Sequence, residues 1–354
     1  MVVADYRSKM INYHEKDVFD TLNVNINLTA SFDGDNKIYI IEKIDVKNDE
    51  HTDGIVKKIE EKLKKTILDI DTRSFQSHVR KSWSSFYTLK ELIDTICELT
   101  PEGYINYYRG QSGDWELKPT LFRTGETGYS EEFRGNYDKI FQSIAQKFPD
   151  EIKYCPDQGS DDRASNLAVL QHYGLGTPLV DITQNPFIAM LFMVGDYKFV
   201  NKHSAPRFDV FFVKENNKNT LFQEVSTSHY NQRISAQKGA FLNFEKLNDD
   251  LMHGDEKISK VTINLIYNVT PGEDDDWLPP DDAKTTQTNG AKVALTSAVK
   301  DIEQKLKSFH YVSTDLFPDF YKYLEMLKKK HSNSLNAEDV PWYQINNEII
   351  SAGT

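Results

Sequence analysis

The chain has 354 residues, with 42 basic and 54 acidic side chains, and therefore a formal net charge of −12. At about 150 residues per domain, this length suits one large domain or two ordinary ones. Hydrophobic residues make up 39% of the chain and there are only 12 prolines, which favours a packed core over disorder. The acidic balance argues against nucleic-acid binding by the chain as a whole, although a local basic pocket could still bind an anionic small molecule.

Cysteine content and hydropathy exclude further classes of protein. Cys97 and Cys155 are too few for a disulfide framework or a four-ligand zinc site, and we expect no metal centre. The longest apolar run, residues 187–194, is much shorter than the roughly 18 residues that cross a bilayer, so we expect no membrane span. The first ten residues lack the apolar stretch of a signal peptide, and a reducing cytoplasm is the expected location.

The first hundred residues predict a small α/β module. Apolar and polar residues alternate over residues 23–32 and 38–46 on either side of a turn-forming stretch, which predicts a β-hairpin. Helical spacing begins near Asp53, and the interleaved glutamates of its KKIEEKLKK segment favour an exposed helix face over a nucleic-acid patch. A second helix is predicted over residues 89–99. We place the module at residues 1–100 and expect any protein partner to bind through it.

The rest of the chain predicts an α+β domain over residues 101–332, followed by a tail over 333–354. Helices cluster around intermittent strands instead of alternating with them regularly, which is the basis for this fold class. Strands are predicted at 104–109, 178–182, 207–214, 239–244 and 257–268, and helices at 131–147, 163–173, 186–193, 291–307 and 318–330, with exposed loops at 156–162 and 271–282.

The common phosphate-loop, dinucleotide, metalloprotease and serine-hydrolase motifs are absent, and polar clusters within apolar segments stand out instead. The first cluster is the sequence YYRGQ, which includes Tyr108. A planar guanidinium at Arg109 can bind a phosphate or a carboxylate, and Gly110 lets the chain turn or a ligand approach closely. The alternative is that Arg109 is buried and paired with an internal acid such as Asp181.

The second cluster surrounds the segment LVDITQNP. Asp181 and Thr183 share one face of a short strand, just before a helix N-terminus that would favour an anion or a ribose. Alternatively, the two side chains only satisfy backbone donors of the loop. His172, near the end of the preceding helix, is either hydrogen-bonded structure or a functional group. A third cluster, weaker on its own, holds Arg233 and Gln237 before a glycine turn.

Taken together, these clusters resemble the FRG domain family, named for its aromatic-Arg-Gly motif. The resemblance rests on YRGQ, WELKPTLFR, LAVLQHYGLGTPLVDITQNPFIAMLFM and RISAQKGAF in that order, with TDLFPDFYKYL as the closing segment. It covers roughly residues 103–330, and the block at 167–193 is its most specific part. The family is largely bacterial and phage-associated, which implies a stress or phage-defence setting.

The same clusters are more faintly similar to the arginine-serine-glutamate class of ADP-ribosyltransferases, which implies an ADP-ribosyltransferase-like core. That similarity implies that Arg109 holds the phosphates of NAD and that Thr183 lies beside the nicotinamide ribose. Ala189 and Phe192 match the small-then-aromatic spacing of the following helix. Where that class has a catalytic glutamate, this chain has Gln237, so the missing charge would have to come from Asp181 or Glu224.

Two classes of function therefore stay open. One is an NAD-cleaving or ADP-ribosyl-transferring enzyme, and the other is a non-catalytic nucleotide-binding, sensing or protein-interaction module. Both predict that Arg109, Thr183 and Gln237 line a shared cleft. The expected catalytic residues are Gln237, Asp181 and His172, and the expected NAD-binding residues are Arg109, Gly110, Thr183, Tyr108 and Arg233.

Overall fold

The computed structural model describes residues 6–33, 36–47, 54–76, 84–123, 128–195, 197–200, 205–214, 220–225, 237–253, 257–267, 280–312 and 324. Within them the protein is α+β, with helices on both faces of one mixed sheet. The strands are β1 (Phe19–Asp33), β2 (Asn36–Lys47), β3 (Tyr104–Gln111), β4 (Leu179–Thr183), β5 (Arg207–Lys214), β6 (Phe222–Gln223), β7 (Gly239–Asn243) and β8 (Ile258–Tyr267).

The eight strands lie in the order β2-β1-β8-β5-β3-β4-β7-β6. Strands β1 and β8 pair in parallel, and every other neighbouring pair is antiparallel. Because β1 lies directly beside β8, the hairpin from the first hundred residues extends the sheet that the later strands form. The division at residue 100 stays a prediction from sequence, and backbone hydrogen bonds between strands run across it.

Ten α-helices are described. They are α1 (Tyr6–Ile11), α2 (Glu15–Val18), α3 (Gly54–Gln76), α4 (Ser85–Glu98), α5 (Glu131–Gly135), α6 (Tyr137–Lys147), α7 (Asp161–His172), α8 (Pro186–Val194), α9 (Asp249–His253) and α10 (Pro280–Ser308). Several begin at side-chain caps. Ser84, Ser130, Ser160 and Asn185 each accept a hydrogen bond from a backbone N–H of the first turn that follows.

Alternation of side chains along the strands gives the sheet two apolar faces and two cores. The first core packs β1, β5 and β8 against α3, α4, α8 and α10, with fully buried residues such as Leu22, Val24, Phe208, Val261 and Leu295. The second core packs the opposite face against α1, α6 and α7, with Tyr6, Phe141, Leu167, Phe211 and Phe241 among its members. Residues before position 100 therefore contribute to both cores.

Most of the predicted elements are present. The amphipathic helix begins at Gly54, and Ile59, Leu63 and Ile67 on its apolar face are buried while the lysines of its opposite face are exposed. The predicted helix 131–147 is two helices, because the chain leaves helical geometry at Asn136. The predicted loop 271–282 is wrong at its end, because helix α10 already begins at Pro280. The rest of that loop, and the predicted helix 318–330 and the closing TDLFPDFYKYL segment apart from Leu324, lie outside the described residues.

Candidate membrane spans and metal sites were sought among the residues that the structure describes. None of its helices combines the length and hydropathy needed to span a bilayer. Nor do its His, Cys, Asp and Glu side chains form a group of three or more that could hold a metal ion.

Candidate functional site

A cavity of about 300 Å³ opens where β3, β4 and β7 run side by side. This volume lies at the lower end of the range typical of small-molecule sites. Among the described residues, the cavity is lined by Tyr108, Arg109, Gly110, Gln111, Ser112, Trp115, Arg123, Gln171, His172, Asp181, Ile182, Thr183, Phe192, Gln237, Gly239, Ala240 and Phe241. This lining includes all the expected catalytic and NAD-binding residues except Arg233, which lies outside the described residues.

Strand pairing brings the three sequence clusters together. Tyr108 of β3 pairs with Thr183 of β4, and Thr183 pairs in turn with Gly239 of β7. The cluster around Arg109, the cluster around Asp181 and the turn at Gln237 are therefore adjacent although up to 128 residues separate them in the chain. The predicted shared cleft of Arg109, Thr183 and Gln237 is present.

Arg109 is partly buried and hydrogen-bonded to neutral acceptors. Its Nη1 donates to the backbone oxygen of Asp181 at 2.6 Å, and its Nε donates to Gln111 Oε1 at 3.2 Å. Burial lowers the pKa of Arg109 to about 10, which still leaves the guanidinium charged at neutral pH. The positive charge of Arg123 adds to this shift and the negative charge of Asp181 opposes it.

The alternative that Arg109 forms an ion pair with Asp181 is not what the geometry shows. The Asp181 carboxylate instead accepts a hydrogen bond from Gln171 Nε2 at 2.8 Å, and the hydroxyl of Thr177 donates to Gln171 Oε1. Within the described part of the chain, neither Arg109 nor Arg123 has a carboxylate oxygen within ion-pair distance. Two guanidinium groups and one exposed carboxylate thus face the same cavity.

Thr183 and Gln237 are joined through the backbone. The Thr183 hydroxyl donates to the backbone oxygen of Gln237 at 2.6 Å and accepts from the backbone N–H of Asn185 at 3.0 Å. Thr183 therefore holds the turn at Gln237 against β4. This is a structural role of the kind that the sequence analysis gave as the alternative to ligand binding. His172 also faces the cavity, with its ring edge-to-face against Tyr173 at a centroid distance of 5.1 Å.

Gly110 and Tyr108 have packing roles that the sequence analysis did not assign. A Cβ built on Gly110 would lie 1.8 Å from the backbone oxygen of Ala189 and 2.5 Å from the backbone nitrogen of Met193. Helix α8, and not a ligand, is therefore what approaches Gly110 closely in this structure. Tyr108 belongs to the first core, with its hydroxyl 3.0 Å from Cys97 Sγ.

Two other expectations are corrected by the geometry. The start of α8 is not an open anion site, because Asn185 Oδ1 accepts from the amides of Phe187 and Ile188, and none of these residues is among the described lining. Glu224 also lies outside the described lining and accepts a hydrogen bond from the hydroxyl of Tyr107 at 3.2 Å. Asp181 is thus the one carboxylate among the described lining residues.

Ten of the seventeen described lining residues were not predicted as site residues, and three of these bear on the chemistry of the cavity. Arg123 supplies the second guanidinium, Gln171 holds the Asp181 carboxylate, and Trp115, which is 60% exposed, lines the cavity. Burial lowers the pKa of Arg123, and Asp181 partly opposes that shift. Trp115 and Arg123 are the first and last residues of WELKPTLFR, so the motif held the signal without indicating which of its side chains face the site.

The chain was compared with protein families, curated proteins and solved structures. No curated protein and no solved structure matches this chain. A family model described as the FRG domain matches residues 105–202, which include β4, β3 from its second residue onward, and all the described lining residues except Gln237, Gly239, Ala240 and Phe241. The match is shorter than the extent predicted from sequence, and residues 203–332 stay a prediction. The chain therefore contains an FRG domain over residues 105–202.

Proposed function

We propose that the cavity binds NAD through its diphosphate, with Arg109 and Arg123 as the phosphate-binding residues. The observation that carries this proposal is that two guanidinium groups and one carboxylate, Asp181, face one cavity without a described ion pair between them, so that the three groups together leave a net positive charge. Like charges placed together cost free energy unless an anion neutralises them. A guanidinium also presents several N–H donors in a plane, which matches phosphate oxygens.

Cleavage of the bond between nicotinamide and ribose is the reaction that this site supports best. Breaking that bond develops positive charge on the ribose, and a nearby carboxylate stabilises that charge. Asp181 is the candidate for this role because its carboxylate faces the cavity and is held by Gln171. Gln237 would contribute hydrogen bonds without charge. Such consumption of NAD would fit the stress or phage-defence setting that the resemblance implies.

A second candidate is nucleotide binding without turnover. Two observations favour it. Gln237 is neutral where the similar transferases have a glutamate, and the Thr183 hydroxyl is already occupied by backbone hydrogen bonds. On this account the ligand is held by the same arginines, but no group stabilises the charge that develops during cleavage.

The experiment pairs calorimetry with an assay for nicotinamide release from NAD. We expect saturable NAD binding by the wild-type chain and binding weakened by about tenfold or more in Arg109→Ala. Arg134→Ala, which removes a positive charge on α5 outside the described lining, is the matched control and should bind normally. Release of nicotinamide that Asp181→Asn abolishes supports the enzyme, whereas binding without release supports the second candidate. Absence of binding by the wild-type chain would contradict both.

A further inference from the structure

Trp115, the first residue of the segment Trp115–Leu117, lines the cavity, and the N-terminal segment Tyr13–Glu15 holds the other two residues of that segment. The backbone N–H of Leu117 donates to Glu15 Oε2 at 2.7 Å, and the hydroxyl of Tyr13 donates to the backbone oxygen of Leu117 at 2.9 Å. The N–H of Glu15 donates in turn to Glu116 Oε1 at 3.1 Å. Glu116 and Leu117 are thus both hydrogen-bonded to a part of the chain about a hundred residues earlier.

Glu15 also joins a buried group of four charges under the same wall. Its carboxylate accepts hydrogen bonds from Arg207 and Lys260, and Arg207 Nε lies 3.0 Å from both carboxylate oxygens of Asp209. Lys260 and Asp209 are fully buried. Two acids balance two bases in this group, so that every charge has a partner of opposite sign.

This charged group reaches the cavity through the wall. Arg207 Nη1 donates to the backbone oxygen of Trp115 at 3.1 Å, and Gln111 Nε2 donates to the same oxygen at 2.9 Å. Gln111 Oε1 then accepts from Arg109 Nε. A continuous series of hydrogen bonds therefore connects Glu15, through Arg207 and the Trp115 carbonyl, to the guanidinium of Arg109.

We propose that the segment Tyr13–Glu15 is a latch for the cavity wall, and that Glu15 is a positioning residue for Trp115 and Arg109. The effect on ligand affinity rests on the proposed function, whereas the effect on the wall does not. Hydrogen bonds to a carboxylate are stronger than those to a neutral amide. Glu15→Gln would therefore loosen the Leu117 amide and leave Arg207 and Lys260 with one balancing acid.

Hydrogen exchange of the ligand-free chain tests the latch directly. In Glu15→Gln we expect the Leu117 amide to exchange about tenfold or more faster, as the loss of a hydrogen bond to a charged group implies. Tyr13→Phe removes the second bond to Leu117 without a change of charge and should accelerate exchange in the same segment. Amides of β4 serve as the reference, and Glu151→Gln, with the same loss of charge at an exposed acid outside the described lining and outside both segments, should leave Trp115–Leu117 unchanged.

Unchanged exchange at Leu117 in both variants would overturn the proposal. A uniform rise that includes β4 would overturn it too, since it would show that Glu15 and Tyr13 support the fold as a whole. With NAD present, we expect Glu15→Gln and Tyr13→Phe to weaken binding several-fold relative to Glu151→Gln. Faster exchange with unchanged affinity would overturn the positioning role. If the wild-type chain binds no NAD, the proposed function fails, while the exchange measurement still decides whether the latch exists.

Discussion

Gly110 offers a test of the structure that does not depend on any ligand. In Gly110→Ala the added Cβ would lie 1.8 Å from one backbone atom of helix α8 and 2.5 Å from another. Overpacking of a core costs about 1–3 kcal/mol when side chains can adjust, and occasionally more. Here the obstructing atoms are backbone, and α8 cannot move without disturbing its buried contacts with β3 and β5. We therefore expect a loss of at least about 3 kcal/mol in the free energy of unfolding.

Denaturant unfolding followed by circular dichroism measures this loss, with Gly135→Ala as the matched control. Gly135 ends helix α5, and a Cβ there meets nothing within 4 Å. Its substitution should be neutral or stabilising by less than about 1 kcal/mol. If Gly110→Ala unfolds like the wild-type chain but loses ligand binding, the packing argument is refuted, and a role for Gly110 in admitting the ligand would replace it.

Three further predictions concern the carboxylates and the first hundred residues. In Asp181→Asn, nicotinamide release should fall by about a hundredfold or more while NAD affinity changes less, and equal release would contradict the role of Asp181. Burial raises the pKa of Glu303 from 4.5 to about 9, with partial opposition from Lys300, so the folded chain keeps this proton over a range in which the unfolded chain loses it. Stability from this group is full below about pH 4.5 and falls as the pH rises towards 9. Glu303→Gln should therefore exceed the wild-type chain in stability by up to about 5 kcal/mol at pH 8 and match it at pH 4 in thermal melts. Deletion of residues 1–100 should leave a fragment without cooperative unfolding, because β1 contributes buried side chains to the first core beside β8, and a folded fragment would contradict the shared sheet.

Elements with strong local patterns could be predicted from the sequence. The repeat of Ile59, Leu63 and Ile67 indicates a helix with one buried face, and the alternation in β1 and β2 indicates a hairpin. The short helices α1 and α2 were missed because six and four residues are too few to show a period. The two-residue strand β6 was missed for the same reason.

The place of β1 in the sheet could not be read from local patterns. Its parallel pairing with β8 joins Phe19 to Ile258, and nothing in either segment alone specifies a partner so distant in the chain. The meeting of Arg109, Thr183 and Gln237 was predictable because the family resemblance implies that these clusters share a site. Arg123 was not, because it lies after a single 3₁₀ turn, where neither helical nor strand periodicity indicates which way a side chain points.

The central claim is that Arg109 and Arg123 together bind phosphate, and calorimetric titration of NAD into four forms of the chain tests it most directly. The forms are the wild type, Arg109→Ala, Arg123→Ala and the double variant. Hydrogen bonds to charged groups contribute about 1.5–3 kcal/mol each, so each single change should weaken binding by about 10- to 100-fold. Nicotinamide riboside, which carries no phosphate, should bind weakly to all four forms. Equal affinity of the wild type and the double variant for NAD would contradict the account.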